Sequence, residues 1–499
     1  MLRRPEDLFD RTTEWDSLAE LATSEQPGML LGIVSGRRRH GKSFLLRRIV
    51  TATGGLYHQA LEVGRSQALQ AFADDVARSR SLPAGTLRFD DWETAFRIAL
   101  GLPTNGSRSE GRGPREVLVI DELPYLLGHS PEIPSILQLL YDECNQQPAA
   151  RRTTVVLCGS ALSVMLDLLS GAKPLRGRAR LDMRMRAFDF RMAADFWHIE
   201  DPGVAFRVDA ILGGTPGYKA LVSSPPPSRQ QDLPEWVQAQ LMSPSRALYS
   251  EKDYLLREDP RISDKAVYNS ILSAVARGAH KATDIGGVVA RDLNQLRYPL
   301  SVLEEAGFIN RVEDQLTGRR PLYFLADPIV RFAETIVEPF RYLLEEGEAG
   351  AAWSAAKPAI ASNILGPHFE HLTRVWTSRF AGDRWGEPLG SVGPAVISDA
   401  QNRSKHEIDV VGLARGHKPG KKDARIVVLG EAKATSKKRT QSDLARLEEI
   451  RAELAKRKYE AQSAHLVLFS REGFDVNLEK QASTRDDVHL VDLAALYQR

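Results

Sequence analysis

Gly36-Arg37-Arg38-Arg39-His40-Gly41-Lys42-Ser43 fits the spacing G-x-x-x-x-G-K-[ST] and opens an apolar stretch from Phe44 to Val50. Glycines let backbone N–H groups fold around phosphates, and the N-terminus of the following helix adds partial positive charge. In such a loop Lys42 reaches the β- and γ-phosphates of a nucleotide and the Ser43 hydroxyl coordinates Mg²⁺. The candidate nucleotide contacts are therefore Gly36, Arg37, Arg38, Arg39, His40, Gly41, Lys42, Ser43 and Phe44. A second element is needed, and Val117-Leu118-Val119-Ile120-Asp121-Glu122 supplies it: Asp121 would hold Mg²⁺ through water and Glu122 would polarise the attacking water. Ser160, just past the apolar run Thr154 to Cys158, either senses the γ-phosphate or caps a helix. Arg178, in Pro174-Leu175-Arg176-Gly177-Arg178, is either an arginine finger or part of a basic surface loop.

A second constellation lies near the other end. His406-Glu407-Ile408-Asp409-Val410-Val411 precedes Val427-Val428-Leu429-Gly430-Glu431-Ala432-Lys433. Strand residues two apart share a face, so Glu431 and Lys433 point the same way. Asp409 and Glu431 are hard oxygen donors for Mg²⁺ or Mn²⁺, and Lys433 would position or activate a nucleophile in phosphodiester cleavage. Glu370, in HFEHLTRVW, is a further candidate ligand or orienting acid. Between Gln401 and Thr440 eleven Lys/Arg face four acids, an excess of seven positive charges that suits a polyanion or makes a solvated basic loop.

These residues need elements to hold them. Met29 to Val34, Val117 to Ile120 and Thr154 to Cys158 read as strands buried on both faces, alternating with helical stretches as in βα units. Asn105 to Pro114 reads as an exposed flexible loop, and a helical lid should precede a weak boundary at Pro225 to Pro227. Helical spacing over Val267 to Val275, a short helix after Thr283 and a third from Leu293 to Glu305 precede two strands, Phe308 to Val312 and Pro321 to Leu325, around QLTGRR. Three helices and a hairpin make a winged helix-turn-helix. Asn294, Gln295, Arg297 and Tyr298 would then begin its base-reading helix, with Arg319 and Arg320 on the wing, unless the module is a protein–protein spacer. Strands follow at Glu407 to Val411, Ile426 to Leu429 and His465 to Phe469.

Composition bounds the rest. The 499 residues carry 67 Lys/Arg against 65 Asp/Glu, a net charge of +2, so only local patches favour nucleic acid. Hydrophobic residues at 42% exclude a mostly disordered chain, and two cysteines exclude a disulfide framework. No apolar run is long enough to span a bilayer and no signal peptide opens the chain, so the expectation is a cytoplasmic protein without a membrane partner.

The segments GRRRHGKS, VLVIDE, LCGSALSVM and PLRGRARLDM resemble the archaeal-type ATPases of the AAA+/STAND P-loop class. LFDRTTEWDSLAEL is similar to the adenine-side element of those domains, which implies Phe9, Asp10 and Arg11 near the base. Asp409, Glu431 and Lys433 resemble the core of the PD-(D/E)xK nucleases, with Ile408 where the motif has proline. The resemblance implies an α/β fold: a P-loop NTPase parallel sheet with helical lid over 1–255, a winged helix-turn-helix over 262–335 and an α/β restriction-endonuclease-like domain over 355–499. The implied ligands are ATP with Mg²⁺ at the first site, and Mg²⁺ or Mn²⁺ at the second; the implied partner is DNA, and homo-oligomer formation stays open. Three functions fit: an ATP-dependent DNA-processing enzyme, a signalling ATPase whose last domain only binds nucleic acid or protein, and a defence effector restrained by nucleotide.

Overall fold

The computed structural model describes residues 2–103, 115–146, 151–318, 321–399 and 404–498. The loop expected at Asn105 to Pro114, the pair Arg319 and Arg320, and Gln401 and Arg403 of the basic stretch lie outside the described residues. Contacts divide the chain into two units, Met1–Ala187 with Leu255–Arg261, and Phe188–Tyr254 with Ile262–Arg499. Residues 188–254, expected to belong to a P-loop domain with helical lid over 1–255, group with the C-terminal unit.

In the N-terminal unit, β1 (Met29–Ser35), β2 (Leu56–Gln59), β3 (Glu116–Asp121), β4 (Thr153–Gly159) and β5 (Ala179–Arg184) form one sheet in the order β2-β3-β4-β1-β5. Every pairing is parallel. Alternate residues serve opposite faces. Leu30, Val34, Val117, Val119, Val156 and Cys158 pack with Trp15 and Leu18 of α1 (Thr12–Thr23) and with Leu45, Leu46 and Ile49 of α2 (Lys42–Thr53). Met29, Leu31, Ile33, Leu118, Ile120, Val155 and Leu157 pack on the other side beneath helices Arg65–Ser79, Trp92–Ala99 and Ile133–Gln146. With both faces covered, the central strands must be apolar throughout, which is why they read as unbroken hydrophobic runs. β5 is an edge strand with charged residues at alternate positions, and β2 has only four residues.

The C-terminal unit contains helices Lys265–Ala276 and Ala282–Val289, then α3 (Leu293–Glu305), followed by the antiparallel pair β6 (Ile309–Val312) and β7 (Leu322–Leu325). A capping box starts α3: Asp292 accepts from the Gln295 amide and the Gln295 side chain accepts from the Asp292 N–H. Asn294, Gln295, Arg297 and Tyr298 are exposed on its first turns. A mixed sheet follows, ordered β12-β11-β10-β9-β8, from β8 (Leu389–Asp399), β9 (Ser404–Ala414), β10 (Ile426–Lys433), β11 (His465–Ser470) and β12 (Val488–Asp492). β10, β11 and β12 run parallel, while β9 is antiparallel to both β10 and β8. α4 (Gly366–Arg379) packs against β8, β9 and β10. The core of this sheet includes Leu444, Leu447 and Leu454 of α5 (Gln441–Lys456).

The loop after β6 is docked onto the mixed sheet. Leu316 is buried in the core of that sheet, the Gln315 N–H donates to the Pro394 carbonyl, and the Ser391 hydroxyl donates to the Gln315 side chain. Asp314, itself buried, accepts from the N–H groups of Leu316 (3.0 Å), Thr317 (2.7 Å) and Val396 (2.9 Å). The start of the expected wing is thereby a strut between hairpin and sheet. Asp314→Ala removes the acceptor of three backbone N–H groups, that of Leu316 buried, and should lower stability by about 1–3 kcal/mol. Calorimetric unfolding checks this, and an unchanged transition would show that the docking contributes nothing.

Candidate functional site

Parallel strands deliver their C-termini to one edge, so Ser35, Asp121 and Gly159 end side by side in the order β3-β4-β1. The loop from Gly36 to Gly41 leaves β1 at that edge and enters α2. Gly41 has φ 89°, a left-handed conformation, and a Cβ at Gly36 would lie 2.6 Å from the Met185 carbonyl. Lys42 is buried and donates to the carbonyls of Gly36 (2.7 Å) and Arg37 (3.1 Å), so its ammonium sits inside the loop it closes. His40 Nδ1 lies 3.2 Å from the Met185 carbonyl, and burial together with Arg37 pushes its pKa down to about 3, leaving the ring neutral. Phe44 is exposed on the first turn of α2, with the Arg48 guanidinium 5.0 Å over its ring.

Asp121 is fully buried at the end of β3. Burial pushes its pKa up, but hydrogen bonds from Ser43, Tyr57 and Cys158 and the charge of Lys42 outweigh that and hold it below the usual carboxylate range. Its carboxylate and the Ser43 hydroxyl are thus hydrogen-bonded neighbours, a pair of hard oxygen donors that fits Mg²⁺. Glu122 adopts φ 54°, which L-residues visit at a cost of about 1–3 kcal/mol. Its carboxylate accepts from both the N–H (3.1 Å) and the hydroxyl (3.0 Å) of Ser160. The structure therefore brings Lys42, Ser43, Asp121, Glu122 and Ser160 to one edge. Arg11 joins them from the N-terminal side, donating to the His40 carbonyl (3.3 Å) and the Arg186 carbonyl (2.6 Å).

Arg178 is not at this edge. Ala179 pairs with Leu31 near the start of β1, whereas Arg184 pairs with Ser35 at its end. At about 3.3 Å per residue, Arg178 lies roughly 15 Å from the loop end of the sheet. It is paired there with Asp142 through Nε (2.9 Å) and Nη2 (2.8 Å). Within one chain it cannot reach the loop from Gly36 to Ser43, so a finger role would need a second molecule. The arginine at the loop end of β5 is Arg184. Two further residues at the site carry no motif. Tyr57 donates from β2 to the Asp121 carboxylate, and Glu258 pairs with Arg38 at 3.0 Å, its own pKa raised by burial. No sequence motif marks Tyr57, whose strand β2, Leu56-Tyr57-His58-Gln59, is only four residues long.

Residues 8–202 match a known family described as an ATPase domain predominantly from Archaea. That match spans the loop from Gly36 to Ser43 and the strands β1 to β5. An uncharacterized protein of Methanocaldococcus jannaschii, MJECL04, is 23% identical over 344 residues, covering 68% of this chain and 70% of that protein. The Walker-type ATPase PABY2304 of Pyrococcus abyssi superposes with a TM-score of 0.48 at 22% identity, over 67% of this chain and 99% of that one. The ORC2 protein of Aeropyrum pernix, in ADPNP–ADP complexes, gives a TM-score of 0.42 at 14% identity, over 71% and 97%. Among the described residues no helix is long and apolar enough to cross a membrane.

The second constellation lies in the C-terminal unit at adjacent strands. Asp409 on β9 accepts from the Ala432 N–H of β10 at 2.8 Å, one step beyond the Val410–Gly430 pair. Arg374 of α4 donates to the Asp409 carbonyl (3.0 Å) and lies 3.8 Å from Glu370 one turn earlier. Burial, then the like charge of Asp409, pushes the Glu370 pKa up to about 7, against Arg374 and Lys433. Burial raises Asp409 as well, with Ala432, Lys433 and Arg374 opposing. Glu431 is buried and faces Lys433 (3.0 Å), Arg439 (3.5 Å) and Arg446 (3.8 Å). The four expected residues are thus linked electrostatically, Glu370 to Asp409 and Lys433, and both of these to Glu431; Arg374, Arg439 and Arg446 are additions. Among the described residues no three ligand-type side chains converge as a preformed metal cage. Glu431 Oε2 is nevertheless buried without a hydrogen-bond partner among those residues, and Mg²⁺ commonly takes one or two carboxylates and completes its shell with water.

Tyr57→Phe removes the donor that orients Asp121. Loss of an orienting partner typically weakens a metal site about tenfold or more, so the half-saturating Mg²⁺ for nucleotide binding should rise by about that factor. A Mg²⁺ titration of fluorescent ATP analogue binding measures it, and an unchanged midpoint would remove Tyr57 from the site.

Proposed function

We propose that this chain binds and hydrolyses ATP in its N-terminal unit and binds DNA through its C-terminal unit, where Asp409, Glu431 and Lys433 serve a metal-dependent phosphodiesterase. The observation that carries the reading is the convergence of Lys42, Ser43, Asp121 and Glu122 on one sheet edge, together with the Asp409–Glu431–Lys433 group in the mixed sheet.

At the first site, Lys42 exchanges its loop carbonyls for the β- and γ-phosphates, and Ser43 with Asp121 would hold Mg²⁺, which neutralises charge between those phosphates when bound. Glu122 accepts the proton of the attacking water. Ser160, now donating twice to that carboxylate, turns toward the γ-phosphate when nucleotide arrives and releases Glu122 for this task. At the second site, Asp409 and Glu431 would hold Mg²⁺ or Mn²⁺, which polarises the phosphodiester when bound. Glu370, adjacent to Asp409, is suited to hold a proton near neutral pH. Lys433 sets its charge toward the substrate phosphate. The exposed Asn294, Arg297 and Tyr298 of α3 offer a second DNA contact, while the Gln295 side chain is spent on its helix cap. One observation favours a second reading, a nucleotide-driven switch that binds DNA or protein without cutting: Glu431 is already ion-paired with Lys433, Arg439 and Arg446.

Glu122→Gln should retain ATP and hydrolyse it about 10²- to 10⁴-fold more slowly, since only the proton acceptor is lost. Asp409→Ala should abolish Mg²⁺- or Mn²⁺-dependent DNA cleavage and leave ATP turnover intact. Full-length protein assayed on linear, circular, branched and single-stranded DNA, with and without ATP, tests both. Wild-type protein that hydrolyses ATP and binds DNA but cuts none of these substrates with either metal would favour the switch.

A further inference from the structure

The basic residues around Glu431 are more numerous than the acid they surround. Lys433, Arg439 and Arg446 all face its carboxylate, at 3.0, 3.5 and 3.8 Å. Asp443 offsets only Arg439, at Nη1 (3.0 Å), and also accepts from the Thr440 N–H. In direct ion pairs two acids therefore answer three cations, while Asp409 and Glu370 add their charge on the Lys433 side.

Arg439 is the least ordinary of them. Only 4% of it is exposed, which for an arginine requires well-made partners. Its backbone is held in register, the N–H donating to the Gly473 carbonyl and the C=O accepting from Asp475. Yet its Nε and Nη2 have no hydrogen-bond acceptor among the described residues, and the facing Glu431 Oε2 has no donor. A buried guanidinium edge and a buried carboxylate oxygen thus stand 3.5 Å apart with their hydrogen-bonding capacity unspent. Lys433 and Arg446 flank this gap, and both are partly exposed, with side-chain exposures of 40% and 46%.

We infer that Arg439, with Lys433 and Arg446, is the seat of a DNA phosphodiester, and that Glu431 is the gate between this seat and the carboxylates Asp409 and Glu370. The inference rests on the phosphodiesterase reading and adds residues no motif marks. A guanidinium edge matches the paired non-bridging oxygens of a phosphate, whereas a lysine acts as a point charge. While Glu431 is unliganded, its carboxylate offsets part of the charge of the three cations and repels phosphate. A divalent cation drawn to Glu431 and Asp409 takes up that negative charge and leaves the cations to the phosphate. Cation and DNA binding are therefore positively coupled through one side chain, and by linkage each tightens the other equally.

The test is binding of a fluorescein-labelled DNA duplex to the full chain by anisotropy, in EDTA and in Ca²⁺, across a range of salt. Ca²⁺ should tighten wild-type binding about tenfold, within the usual range of coupling between sites. Arg446→Ala and Arg439→Gln should lose most of that gain and flatten the salt dependence by about one unit of slope each. Arg446 is half exposed, so its variant remains informative if Arg439→Gln unfolds. Glu431→Gln should bind DNA in EDTA more tightly than wild type and ignore Ca²⁺, an outcome a merely structural Glu431 would not give. If Arg446→Ala and Arg439→Gln keep wild-type affinity, slope and Ca²⁺ gain, the seat is wrong, and loss of cleavage in Asp409→Ala would still uphold the phosphodiesterase. If the arginine variants lose the gain but wild type cuts no DNA with Mg²⁺ or Mn²⁺, the seat stands and the phosphodiesterase falls. A wild-type chain without any Ca²⁺ gain overturns the inference.

Discussion

The parallel direction of β1, β3 and β4 governs what the N-terminal unit can do. Because these strands run the same way in register, Ser35, Asp121 and Gly159 are forced to one edge, and each hands over directly to a polar residue or loop. The hydrogen bonds from Ser43 and Tyr57 to the Asp121 carboxylate close this arrangement across α2, β2 and β3. Their combined effect keeps a fully buried carboxyl ionised, which burial alone would oppose. A buried anion held in this way is a standing demand for a cation, and the charge of Lys42 and the hydroxyl of Ser43 already act on it.

The C-terminal unit follows a different logic. Its mixed sheet sets Asp409 beside Glu431 on antiparallel neighbours, and α4 lays Glu370 and Arg374 across them. Burial, reinforced by like charge, raises the pKa values of Glu370 and Asp409 there, while Lys433, Arg439 and Arg446 face Glu431. The docked loop from Asp314 to Leu316 ties the hairpin after α3 to the same sheet, so α3 and the charged group are parts of one packed body.

The loop from Gly36 to Ser43 and the strand ending at Asp121 were legible from residue types because their chemistry is local: a turn, a helix start, an apolar run with an acid at its end. The three central strands read clearly because burial on both faces leaves no polar positions within them. β5 did not, since an edge strand carries charges on alternate residues, and without it Arg178 could not be placed at the far end of the sheet. Tyr57, Arg439 and Arg446 were invisible for a related reason. Their roles depend on strand order and on a helix returning across a sheet, distances that no spacing along the chain encodes. Asp409, Glu431 and Lys433 were visible because neighbouring strands carry them at short separation.

The N-terminal site works only if the buried Asp121 carboxylate recruits Mg²⁺ to a bound nucleotide. Titration calorimetry of ATP into the full chain, in Mg²⁺ and after chelation, measures this directly. Mg²⁺ should tighten ATP binding by about tenfold or more, within the ordinary range of ligand coupling, and Asp121→Asn should keep the metal-free affinity while losing the gain. Equal affinities with and without Mg²⁺ in the wild type, or an undiminished gain in Asp121→Asn, would contradict it.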